Sequence, residues 1–279
     1  MKLKFSKANA KIEKLSKIKS IAKYLKNGRK VYSLDLLSGW SCPFAQDCLS
    51  KVVRLNNKST IKDGPDTLFR CFSASQEALL PAVYNLRKHN YNAIDLMLKA
   101  NIGRLDLANW INEQLPTNLG ILRFHVGGDF FNQTYFDAAA LVARKNPDRL
   151  FYAYTKSLKY WTGRLGELSD NFVLTASRGG RLDYMIDEYD LREAKVIAEP
   201  EVCSAIAASR NQNKVPNLFS IRESYPELIG LPIDHDDSHA ANPRKRNQSF
   251  CLLVHGVQPK DSEASKAKSI LKGVGSYSR

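Results

Sequence analysis

Six short apolar segments, separated by helical patterns, constrain this chain more than any other feature. They span 31–37, 119–126, 150–154, 172–175, 195–198 and 250–254. Five of them run into polar, ionisable or glycine residues: Ser38-Gly39, Gly127-Gly128-Asp129, Thr155-Lys156-Ser157, Ser177-Arg178-Gly179-Gly180 and His255-Gly256. Between them lie helical patterns over 73–89, 93–115 and 134–143. Strands alternating with helices at this interval predict parallel βαβ units, with successive strands side by side. A chain of 279 residues has room for one α/β barrel or two smaller domains. The expected architecture is a partial or complete (β/α) barrel over 31–256, preceded by a basic helix over 1–30 and followed by a polar tail over 257–279, where 264–271 has a helical pattern. A small hairpin is expected over 52–61, around Asn56-Asn57-Lys58.

Net charge is +14, but residues 1–30 hold eleven Lys or Arg against one acid, Glu13. Charge is therefore mostly a property of one segment. Ile12, Leu15, Ile18, Ile21 and Leu25 fall at helical spacing there, so the lysines read first as the solvated face of an amphipathic helix. The second reading is a nucleic-acid partner held through phosphate contacts. No apolar run approaches the roughly 20 residues of a membrane-spanning helix. The start, Met-Lys-Leu-Lys-Phe, has no apolar h-region behind it. Five cysteines do not read as a disulfide framework, which points to the reducing cytoplasm.

Three of those cysteines, Cys42, Cys48 and Cys71, fall in one loop after the first strand, over 40–72. Three thiolates can hold three irons of a [4Fe–4S] cluster and leave the fourth open to a ligand. Five and twenty-two residues separate them, which matches neither the four-cysteine ferredoxin runs nor the paired C-x-x-C of structural zinc. The plainer reading is a set of buried apolar cysteines.

In parallel α/β folds ligands sit at the carboxyl ends of strands, so the residues ending each segment are the site candidates. Gly127 and Gly128 form a turn that lets a ligand approach backbone, or simply a tight turn. Asp129 suits an ammonium group, and His125 precedes the turn. Lys156 is a carboxylate or phosphate anchor or a structural ion-pair partner. Ser177 and Arg178 before two glycines resemble an anion clamp. The densest ionisable cluster is Asp234, His235, Asp236, Asp237 and His239, with Ser238 between. It offers divalent-metal ligands and the basis of a hydrolase, although it matches neither H-E-x-x-H nor an EF-hand.

Several stretches together carry a resemblance. Ser33-Leu34-Asp35-Leu36-Leu37-Ser38-Gly39, Cys42-Pro43, Asp47-Cys48, Phe69-Arg70-Cys71, His125 to Phe131, Phe151 to Ser157, and Ile233 to His239 resemble the bacteriophage family named for gene product eighty-eight, over about 31–256. That family implies no activity. The order strand, three-cysteine loop, helix, strand, Gly-Gly-acid is also distantly similar to radical S-adenosylmethionine enzymes. This second resemblance implies a radical-SAM-like barrel, a [4Fe–4S] cluster on Cys42, Cys48 and Cys71, and S-adenosylmethionine at the open iron. Gly127, Gly128 and Asp129 would then face its amino group, and Ser177 and Arg178 its carboxylate or ribose. The stretched cysteine spacing and an Asp in place of the usual Glu depart from that pattern.

The leading expectation is thus a phage-type iron–sulfur protein, with S-adenosylmethionine chemistry on an unknown nucleotide or nucleic-acid substrate. Its competitors are a non-enzymatic nucleic-acid-binding protein with structural cysteines or zinc, and a metal-dependent hydrolase built on Asp234 to His239.

Overall fold

The computed structural model describes residues 1–7, 14–56, 58–211, 232–233 and 237–273. Its centre is a seven-stranded sheet in the order β1 (Ser6–Lys7), β2 (Lys30–Leu34), β5 (Leu119–Phe124), β6 (Leu150–Thr155), β7 (Phe172–Ser177), β8 (Glu193–Ile197) and β9 (Phe250–Leu253). From β2 to β9 every pairing is parallel; β1 alone runs antiparallel, against β2. All six strands expected from the apolar segments are present. Among the described residues β1 and β9 are the sheet's two edges and do not pair with each other. The sheet is open, so the complete barrel is not formed.

Each parallel strand lies beside the next one in sequence, the hairpin β3 (Ser50–Leu55) and β4 (Lys58–Asp63) standing apart as a sheet of its own. Sequential parallel strands joined by right-handed crossovers place their helices on one face. That face is packed by α3 (Pro81–Lys99), α4 (Arg104–Asn112) and α5 (Gln133–Lys145). Ile94, Ile111 and Phe136 meet Leu34, Phe124, Phe151 and Phe172 there in a core with no solvent access to speak of. α6 (Leu158–Thr162) and α7 (Tyr184–Glu188) continue the layer.

The other face is closed by different material. Leu15, Ile21 and Tyr24, from short helical turns over Lys14–Leu25, pack on Val31, Ile121 and Tyr152 together with Ala240 and Ala241. The basic segment is therefore not one continuous amphipathic helix. A four-residue α1 (Lys19–Ala22) sits between two 3-10 turns, and Ile18 before it is extended, with φ −91° and ψ 113°. The apolar spacing is satisfied nonetheless: Leu15 and Ile21 are sealed in and Lys14, Lys17, Lys19, Lys23 and Lys26 are left outside or half outside. Beyond β9, the helix expected over 264–271 is α9 (Glu263–Ile270). Its Ala264 and Ala267, with Leu271 just beyond its end, pack against Val202, Cys203 and Ile206 of α8 (Pro200–Asn211). No helix among the described residues is long and apolar enough to cross a membrane.

The two expected helices over 73–89 and 93–115 divide differently. α2 (Phe72–Leu79) stops at Leu80, which is extended because it precedes Pro81. The proline, lacking an N–H, then opens α3 at its first position, where that N–H has no helical partner anyway. Asn101, at φ 55°, ends α3 before Gly103 caps α4.

Candidate functional site

The cysteine loop leaves β2 and lies across the carboxyl ends of the strands. Leu36 N–H donates to the Gly127 carbonyl at 2.9 Å, joining the loop's start to the β5 turn. Further on, Gln46 and Asp47 N–H donate to the Gly179 carbonyl, and Arg181 N–H to Phe44, so the Cys42–Cys48 stretch docks on the turn after β7. The loop's far end sits by β9. Gln258 Oε1 accepts from Arg70 N–H at 2.8 Å, and the rings of Phe72 and His255 lie 4.5 Å apart. Three strand ends thus fix three cysteines that twenty-nine positions of chain separate from first to last.

Cys42, Cys48 and Cys71 are partly exposed, whereas Cys203 and Cys251 are buried. The three are within electrostatic reach of one another. Burial raises the Cys42 thiol well above its usual range, followed by Asp129, Cys71 and Cys48 in turn. Cys48 is pushed to about 11 by burial, and the nearby Lys156 ammonium opposes that. Cys71 is raised by burial and held back by N–H groups of Ala74 and Ser73, at the start of α2. Gly39 N–H donates to Cys42 Sγ at 3.3 Å. Thiols so crowded stay neutral on their own; a metal centre releases their protons on binding. Backbone N–H groups aimed at two of the sulfurs, and an ammonium beside the third, suit a donor set that carries negative charge. Among the described residues no three His, Cys, Asp or Glu groups converge on the position of one metal ion. In a cluster each thiolate binds a separate iron.

Asp129 is buried at the centre of this end. Its Oδ1 accepts from Thr155 Oγ1 and Phe130 N–H, both at 2.7 Å, and its Oδ2 from Lys156 N–H at 2.8 Å. Burial lifts it to about 6 despite those donors. Lys156 spends its ammonium on the Ser177 carbonyl and Oγ and on the Arg178 carbonyl, at 2.6, 2.9 and 2.8 Å. Arg178 pairs with Glu193 and, at 2.9 Å, with Asp187. The backbone N–H groups of Gly179 and Gly180 both donate to Asp183, so the nest expected for an anion is filled by the chain's own carboxylate. Gly127, Gly128, Asp129, Lys156, Ser177 and Arg178 are thus gathered with the three cysteines at one end of the sheet.

His125 lies just below, in left-handed backbone at φ 66°. Its Nε2 is 2.8 Å from Tyr135 Oη and its Nδ1 is buried without a partner. Burial, then Arg123, lowers it to about 3, so the ring is neutral.

The cluster after Ile233 separates. Asp234, His235 and Asp236 lie outside the described residues. Asp237 covers the sheet face opposite the crossover helices, accepting from Arg123 at 2.5 Å, Tyr152 Oη at 2.8 Å and Tyr154 Oη at 3.1 Å. His239 is directed elsewhere, its Nε2 2.8 Å from Lys245 Nζ.

Sequence patterning did not single out Asp35, Glu77 or Arg87. Asp35 accepts from Val126 N–H at 2.7 Å and from Ser33 Oγ at 2.9 Å, pinning the β2 end to the Gly-Gly turn. Glu77 Oε1 accepts from Ser38 N–H, Ser38 Oγ and Arg87 at 3.0, 2.8 and 3.0 Å. Arg87 also donates to the Ser73 carbonyl, and its guanidinium fills the space beside Gly127, where a Cβ would come within 2.7 Å. An acid six residues after Cys71 on a helix was the only available signal.

The model of one protein family, Gene product 88, matches residues 2–272. The chain belongs to that phage family. No curated protein and no solved structure matches it. This gene product 88 member therefore draws its functional reading from its own residues.

Proposed function

We propose that this gene product 88 protein holds a [4Fe–4S] cluster through Cys42, Cys48 and Cys71, and that the open iron takes S-adenosylmethionine, as in radical S-adenosylmethionine enzymes. The observation that carries the reading is the meeting of three partly exposed thiols, distant in sequence, at the carboxyl end of a parallel sheet. Six parallel strands in sequential order support a partial (β/α) barrel as its scaffold.

When bound, such a cluster supplies one electron and an open coordination site, and the chemistry that follows belongs to the cofactor. The chain's own residues bind and orient. Asp129 keeps a lone-pair direction on Oδ2 beyond its three donors, enough for an ammonium group. Lys156 sets a positive charge beside Cys48 and fixes the β6 end to the β7 end. Ser177 and Arg178 border the same space, where a ligand carboxylate competes with Glu193 and Asp187 for the guanidinium. Glu77 and Arg87 hold the loop's two ends in register.

The test is anaerobic reconstitution with iron and sulfide, followed by electron paramagnetic resonance of the reduced protein with and without S-adenosylmethionine. A cluster signal that changes on adding S-adenosylmethionine is expected. A cluster signal that ignores it overturns the cofactor assignment, and no iron uptake overturns both.

A further inference from the structure

We infer that the β3–β4 hairpin, set between Cys48 and Cys71, is a docking surface for the phosphate backbone of a single-stranded nucleic acid. The inference goes beyond the cluster reading, and it moves the nucleic-acid contact away from the basic amino-terminal segment.

The hairpin has two unlike faces. Ser50 and Val52 of β3 and Ser59 and Ile61 of β4 turn inward, and Arg54 reaches the carbonyls of Glu77 and Ala78 on α2. Lys58, Thr60 and Lys62 of β4 are exposed, opposite Leu55, Val53 and Lys51 of β3. Lys51 and Lys62 are thus a directly opposed cross-strand pair of like charge. Like charges so placed destabilise a two-stranded sheet, which is marginal to begin with. Among the described residues, none of Lys51, Lys58 and Lys62 makes an ion pair. A polyanion on this face relieves the repulsion.

An aromatic group completes the surface. Trp40 is 46 % exposed. Its Nε1 donates to the Val52 carbonyl at 3.2 Å, and Lys51 Nζ lies 4.9 Å from its ring centre. Lysines tracking a backbone beside a half-exposed indole suit a strand with unstacked bases rather than a duplex.

Location separates this surface from the amino-terminal lysines. Lys30 N–H donates to Asn118, Arg29 pairs with Asp148, and Tyr24 backs onto Gly120, all at the amino ends of the strands. Strands of five or six residues put that end roughly 15–20 Å from the cysteines. The hairpin is part of the cysteine loop itself, so a strand lying on it passes the thiols.

The test is fluorescence anisotropy of a labelled oligothymidylate at several salt concentrations, with wild type, the triple variant Lys51→Gln/Lys58→Gln/Lys62→Gln, Trp40→Ala, and Lys14→Gln/Lys17→Gln/Lys23→Gln/Lys26→Gln. Three lost phosphate contacts lower the log–log salt slope by about 2 and the affinity roughly 10- to 100-fold. Trp40→Ala costs about tenfold, and the amino-terminal variant stays within about twofold of wild type. Lys62→Gln alone melts no lower than wild type, which separates lost binding from lost folding. Unchanged affinity and slope in the hairpin variant, or their loss in the amino-terminal variant, overturns the inference. Equal binding of a matched duplex overturns the single-strand assignment. Iron-free protein serves equally, so failure of the cluster reading appears as absent iron while hairpin-dependent binding persists.

Discussion

Glu77 and Arg87 form a buried ion pair at 3.0 Å that ties the start of the cysteine loop to the backbone just after Cys71. Glu77 holds Ser38 at the loop's start; Arg87 holds Ser73 just after Cys71 and fills the space beside Gly127. Both side chains are almost fully buried. Removing one partner of such a pair strands the other charge and costs about 3–5 kcal/mol. Arg87→Ala is expected to destabilise by that amount in urea unfolding. Glu77→Gln keeps an acceptor for Ser38 but strands the Arg87 charge, so it should cost a similar amount. Small effects in both variants would show that the pair does not organise the loop.

Gly128 has φ 88°, and a Cβ there would meet Ser41 Oγ at 2.5 Å and Leu36 Cβ at 2.7 Å. Gly128→Ala therefore adds a steric clash to left-handed strain of about 1–2 kcal/mol. Gly166, at φ 80° with open space around it, is the control. Thermal melts should place Gly128→Ala well below Gly166→Ala. Matching melts would mean that the turn after β5 is loosely packed.

Asp129 makes stability depend on pH in a defined direction. Its folded value is about 6, above the roughly 3.9 of an unfolded chain. Between those values the unfolded state has lost the proton and the native state keeps it, so this contribution falls as pH rises. The stability difference between wild type and Asp129→Asn should drop by on the order of 2–3 kcal/mol from pH 4 to pH 6 in metal-free protein and level off above that. A difference that stays flat across this range would place the carboxyl in a solvated setting.

The strands were legible because their signal is local. Phe151, Tyr152 and Ala153, or Phe172, Val173 and Leu174, are apolar runs of strand length buried on both faces of a parallel sheet. The helix division at Leu80 is marked in the sequence by Pro81, whereas the one at Asn101 turns on a positive-φ asparagine that no apolar spacing marks. At the site, residue types at strand ends pointed to Asp129, Lys156 and Arg178, and those residues do gather there. Their partners were hidden: that Asp183 fills the Gly179-Gly180 nest and that Arg178 pairs with Glu193 depends on the fold around them, and no spacing rule marks it. Glu77 escaped for the same reason, since its partner Arg87 lies on another helix.

The cysteines divide into two groups with opposite expectations. Cys42→Ala, Cys48→Ala and Cys71→Ala should each lose bound iron. Cys203→Ala and Cys251→Ala, buried in the core around β9, α8 and α9, should keep it at some cost in stability. Iron content that falls equally in all five variants would mean that the assigned set is not the ligand set.

The most direct measurement is the iron and acid-labile sulfide content, with the visible spectrum, of protein purified and reconstituted without oxygen. A brown protein with about four irons and four sulfides per chain, as a cubane requires, is the predicted result. A colourless protein holding zinc or no metal after reconstitution would contradict the central claim and leave the three thiols a structural role.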